Sequence, residues 1–153
     1  MLVAESADQR PALSSDEVSD AIRQLIRIGY DNLEGYLEGG IEAWARSYPV
    51  ETIPSMKVTE LRERLDEVTV VDVRQTSEWE AGHIPNAIHF EGGRIPWEKF
   101  PFAHDTPVAI QCGSGNRSMI AISVLRRRGF HNLIQVEGGI NQWKKHGFEI
   151  EKD

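Results

Sequence analysis

A cysteine, Cys112, opens the segment Cys112-Gly113-Ser114-Gly115-Asn116-Arg117-Ser118, which joins the apolar run Val108-Ala109-Ile110-Gln111 to an amphipathic stretch. Glycines and small polar side chains let a backbone curl until successive amide hydrogens point inward. A helix starting near Arg117 adds its own free amides and the positive end of its dipole. Such a setting favours an anion, and the thiolate of Cys112 is one. An ionised sulfur is a nucleophile. Arg117 contributes a permanent cation whose planar fork suits an oxyanion such as a sulfonate.

The elements that must position this loop are legible as short runs bounded by turn residues. Strands are expected at residues 69–73, 87–90, 108–111 and 133–136, each rich in Val and Ile or other apolar residues. Thr59 is placed to cap a helix whose Leu61 and Leu65 share a face. A longer helix from Arg117 to Arg128 shows an apolar stripe of Ile120, Ala121, Val124 and Leu125, and Gly129 is a natural stop. A final helix runs from Ile140 to His146 and ends at Gly147. Strands alternating with helices imply an α/β fold, a mostly parallel sheet in the middle of three layers with helices on both faces. The Cys112 loop then lies at the C-terminal end of a sheet strand, where such folds place their ligands.

Asp72 and Arg74 end a strand beside the loop. Structural hydrogen bonds and ion pairs, with Glu78 or Glu80 as partners, are expected for them; Arg74 is also the second candidate for touching a substrate. His83 reads as a turn and packing residue, because a thiolate ionised by its loop needs no base. Trp44, Trp79, Trp97 and Trp143 read as packing residues, and Arg126 to Arg128 as a solvated helix end.

The rest of the composition excludes several classes. The chain has 153 residues, a net charge of −7 and a hydrophobic fraction of 40%, an ordinary globular composition. An acidic surface repels phosphate backbones, so nucleic acid is not the expected partner. No apolar run approaches the roughly 20 residues of a bilayer span, and the first residues are too short and acidic for a signal peptide, so a cytoplasmic location is expected. With one Cys and five scattered His, neither an internal disulfide nor metal-ligand spacing arises.

The chain also repeats itself. Residues 21–33 and 121–133 share 7 of 13 positions, and residues 38–44 and 137–143 share 5 of 7. Residues 1–54 are therefore expected to be the second half of a related unit, with a strand at Leu2-Val3-Ala4, a helix, a second short strand and a final helix. It has no Cys, so it contributes no catalytic group. The position aligned with Cys112 is Ala12, or lies near Glu5 if strands are matched, and Glu17 stands where the other copy has Arg117.

Asp72-Val73-Arg74, then Glu78-Trp79-Glu80-Ala81-Gly82-His83-Ile84-Pro85-Asn86-Ala87, then the Cys112 to Ser118 loop, then Val136-Glu137-Gly138-Gly139, resemble the rhodanese homology domain. The resemblance covers residues 55–153 in the family's order. It implies a rhodanese-like fold and a sulfurtransferase that holds sulfane sulfur as a persulfide on Cys112. It also implies a substrate cradle of Gly113, Ser114, Gly115, Asn116, Arg117 and Ser118, with Arg117 contacting the donor, and a cycle without metal or organic cofactor. The implied partners are a small sulfur donor such as thiosulfate and a thiol or cyanide acceptor. A degenerate half-unit before an active one resembles metallo-β-lactamase–rhodanese fusion proteins, so an upstream metallo-β-lactamase domain or a second copy of the chain is a candidate partner. Two other functions fit less well. One is a sulfur-carrier or sensing module of a larger protein. The other is a phosphatase or arsenate reductase of the related cell-cycle phosphatase type, whose loops hold five residues between Cys and Arg. Here there are four, a ring of amides better sized for one sulfur atom than for a tetrahedral phosphate.

Overall fold

The computed structural model describes residues 2–4, 14–27, 29 and 31–152. The chain forms two compact units, one ending at Glu51 and the other taking Thr52 onward together with the strand Leu2–Ala4 (β1).

In the first unit the helix Ser15–Arg27 (α1) starts at a capping box: Glu17 Oε2 accepts the Ser14 amide at 2.8 Å, and the Glu17 amide donates to Ser14 Oγ at 3.3 Å. The residue aligned with Arg117 thus serves its own helix. Shifted by the repeat interval, α1 and the short helix Gly40–Ala45 (α2) fall on the last two helices of the second unit. The short strand expected between them is not formed, and residues 31–37 carry no regular structure. A strand exists only through its neighbours' backbone groups; the matching residues 133–136 lie between two partner strands. Ala12 and Glu5 lie outside the described residues.

The second unit is built on a five-stranded parallel sheet. After Glu51–Ile53 (β2), which pairs with β1, come Ser55–Met56 (β3), Thr69–Asp72 (β4), Ile88–His89 (β5), Val108–Gln111 (β6) and Leu133–Val136 (β7). Their order in the sheet is β3-β7-β6-β4-β5, with Asp72 level with Gln111 and Ile110 level with Gln135. The central strands are mostly apolar because both faces are covered. Val71, Val73, Val108, Ile110 and Cys112 point to one face, where they meet Ala121, Ile122 and Leu125 of the helix Asn116–Arg127 (α5). Val70, Ala109 and Val136 point to the other, against Val58 and Leu61 of Val58–Glu63 (α3) and Ile140 and Trp143 of Gly139–Lys145 (α6). This is the three-layer α/β arrangement expected from the sequence.

Some local readings change. Thr59, expected to cap α3, lies inside it, and Lys57 stands at the N-cap. Ile120 was expected on the buried stripe of α5 but is 66% exposed, and Ile122 is buried in its place. The helix Thr76–Glu80 (α4), between β4 and β5, was not foreseen. Among the described residues no helix is long and apolar enough to cross a membrane.

Candidate active site

Cys112 is the first residue after β6, and its side chain is fully buried. The alternation of the strand decides where the sulfur goes: Ile110 and Cys112 share the α5 face. Gly115, at φ 112°, turns the chain into α5, a conformation that side chains rarely adopt. That turn delivers the Gly115 amide to Cys112 Sγ at 3.1 Å. The Gly115 carbonyl points away and accepts from Ser118 Oγ at 2.7 Å and from Gln135 Nε2 at 3.2 Å. Ser118 Oγ also lies 3.8 Å from Cys112 Sγ. The loop is therefore braced from both its own helix and β7, with an amide aimed at the sulfur.

A second brace comes from the start of α6. The Ile140 amide donates to the Cys112 carbonyl at 2.9 Å and to Gln111 Oε1 at 3.1 Å, and the Asn141 amide donates to the Gly113 carbonyl at 3.1 Å. Gly139, at φ 52°, lies so close beneath the loop that a Cβ there would overlap the Cys112 carbonyl oxygen and stand 3.1 Å from that of Gly113. The Gly138-Gly139 pair is thus part of the site, although the sequence offered only its place after β7 as a hint.

Ser114, Asn116 and Arg117 are exposed around the buried sulfur, and Gly113 is half-buried. The guanidinium of Arg117 folds back over the loop: its Nη2 would stand 3.2 Å from a Cβ built on Gly113. Across from it stands Glu78 of α4. Arg117 Nη1 donates to Glu78 Oε2 at 2.5 Å and Nη2 to Oε1 at 2.8 Å. These hydrogen bonds hold the Glu78 carboxyl down at about 2 against the pull of partial burial, and hold Arg117 above its ordinary value.

The partners expected for Asp72 and Arg74 were Glu78 or Glu80. Asp72 and Arg74 pair with each other instead, because neighbouring positions at the strand end place the guanidinium directly on the carboxylate. Arg74 Nε lies 3.0 and 2.9 Å from the two Asp72 oxygens, and Nη2 lies 2.6 Å from Oδ2 and 3.0 Å from the Gly82 carbonyl. Arg74 is 3% exposed, so its fork is spent on the frame beside the loop. His83 is buried and its ring stacks on Trp79 at 3.6 Å, the packing role expected of both residues; Trp97 is 86% exposed.

Three functional neighbours escaped the sequence reading: Glu78 as the partner of Arg117, Gln135 as a brace for Gly115, and Gln111 as a brace for α6. For the glutamines a signal existed, a polar residue inside each otherwise apolar central strand.

The family described as Rhodanese-like domain matches residues 57–146. A sulfurtransferase of Allochromatium vinosum is 32% identical over 101 residues, which are 66% of this chain and 94% of that protein. A Synechocystis protein of uncharacterized function is 34% identical over 101 residues, again 66% of this chain, which spans 56% of that relative's length. The crystal structure of a rhodanese-related protein from Thermoplasma volcanium superposes with a TM-score of 0.61 at 31% identity, covering 65% of this chain and 99% of the other.

Proposed function

Because the chain belongs to the rhodanese-like domain family, we propose that it is a sulfurtransferase carrying sulfane sulfur as a persulfide on Cys112. The observation that carries this reading is the Gly115 amide 3.1 Å from a fully buried Cys112 sulfur at the C-terminal end of β6. A preorganised amide facing Sγ stabilises the Cys112 thiolate, the form that attacks the donor and that is released when the acceptor takes the sulfur.

With thiosulfate as donor, the Cys112 thiolate attacks the outer sulfur. A new S–S bond forms, the bond from that sulfur to the sulfonate breaks, and sulfite leaves with the electron pair. A thiolate or cyanide acceptor then attacks the terminal sulfur of the persulfide, and the Cys112 thiolate leaves, ready for another cycle. Charge and atoms close in each half.

Steady-state transfer from thiosulfate to cyanide or a thiol tests the reading. Turnover that depends on Cys112 is expected. A persulfide that forms and is held without turnover would make the chain a sulfur-carrier module instead, and hydrolysis of a phenyl phosphate without sulfur transfer would overturn the assignment.

A further inference from the structure

Arg117 is the cation at the mouth of the loop, yet two of its donors are already taken. Glu78 meets its fork edge on, at 2.5 and 2.8 Å, in the geometry a bound oxyanion would adopt. The carboxylate is held there by its own helix. It sits at the third position of α4 in a capping box, where its Oε2 also accepts the Gln75 amide at 3.3 Å. The next residue, Trp79, stacks on His83 at 3.6 Å and on His89 at 5.1 Å, which fixes the helix. Nearby, Asp72 is neutralised by Arg74. The charges of Arg117 and Arg74 are thus each matched by a carboxylate.

We propose that Glu78 is a specificity-determining residue that occupies the Arg117 fork in place of a substrate oxyanion, disfavouring dianionic donors such as thiosulfate and favouring singly charged alkyl persulfides. This rests on the persulfide reading above. A dianion must displace Glu78 to take the Nη1–Nη2 edge of Arg117, and wherever else it meets the guanidinium it does so beside a carboxylate. An alkyl persulfide presents one charge on the sulfur to be transferred and needs no oxyanion contact. It delivers that sulfur with the same balance: Cys112–S⁻ and R–S–S⁻ give Cys112–S–S⁻ and R–S⁻. Because Glu78 stays ionised down to about pH 2, ordinary pH changes leave the fork occupied.

The test compares kcat/KM for thiosulfate and for 2-hydroxyethyl persulfide, with cyanide as acceptor, in the full chain and in Glu78→Gln. Glutamine keeps the capping-box hydrogen bond but drops the charge. Losing one charge-assisted competitor should raise the thiosulfate value about tenfold, mainly through KM, with the persulfide value within about twofold of wild type. Equal changes for the two donors, or none, in a folded variant would overturn the proposal. The wild type alone also bears on it: its KM for thiosulfate should exceed that for the persulfide by about tenfold, and an equal or lower value counts against the role of Glu78. Failure of both donors to place sulfur on Cys112 would overturn the persulfide reading itself, whereas persulfide from both donors with an unshifted preference removes only the role of Glu78.

Discussion

Gly139 lies against the carbonyl of Cys112 so closely that no side chain fits between them. The contact ties the start of α6 to the Cys112 loop and goes with a φ of 52° at Gly139. Gly139→Ala should therefore cost about 3 kcal/mol or more, from left-handed backbone strain and overlap together. Urea unfolding of the variant measures this. A cost below about 1 kcal/mol would show that the loop can move away freely.

Arg117→Ala should weaken oxyanion donors such as thiosulfate selectively. It removes a charge-assisted contact worth roughly 1.5–3 kcal/mol and leaves Glu78 unpaired beside the incoming anion. The Gly115 amide, which faces the sulfur at 3.1 Å, is untouched. The expected outcome is a fall of about tenfold to a hundredfold in kcat/KM for thiosulfate, with alkylation of Cys112 by a neutral reagent nearly unchanged. Equal loss in both assays would mean that Arg117 acts on the thiolate and not on the donor.

The Glu78–Arg117 pair sets a small acid-dependent term in stability. The Glu78 carboxyl is held down from 4.5 to about 2, so the pair stabilises the fold above about pH 4.5 and is lost as the pH falls toward 2. Both side chains are more than a third exposed, and solvent screening limits the contribution to about 1 kcal/mol or less. Urea unfolding of wild type and Glu78→Gln should differ by that amount at pH 7 and converge as the pH drops below 4.5. A difference that grows in acid contradicts the assigned pairing.

Ser118 braces the loop through the Gly115 carbonyl, 2.7 Å from its hydroxyl. Ser118→Ala should cost about 0.5–1.5 kcal/mol, the net worth of one hydrogen bond, because the buried carbonyl keeps Gln135 Nε2 and the Met119 amide as partners. Sulfur transfer should fall severalfold in parallel as the Gly115 turn loosens. Loss of stability with transfer unchanged would separate the brace from the chemistry.

What the sequence revealed follows the range of the interactions involved. Strands β6 and β7 match their expected limits, because apolar runs bounded by turn residues are local signals. So are the Gly-rich loop and the glycine that ends α5 at φ 90°. Ile120 misled because the helical period allows it on the buried stripe, while the sheet beneath selects Ile122. The partner of Arg117 was hidden for a different reason. Glu78 is 39 residues away, and only the sheet brings α4 to the loop. The role of Gly139 was equally hidden, since its value lies in a backbone contact across the fold and not in a side chain.

The most direct test of the central claim is the intact mass of the protein after incubation with a sulfur donor, thiosulfate and an alkyl persulfide in turn, alongside Cys112→Ser. The wild type should gain a single sulfur atom, released by cyanide. The variant should keep its fold and gain none, since a hydroxyl of nearly the same size is hardly ionised near neutral pH. An unmodified wild type with both donors, or a sulfur retained by Cys112→Ser, would contradict a persulfide on Cys112.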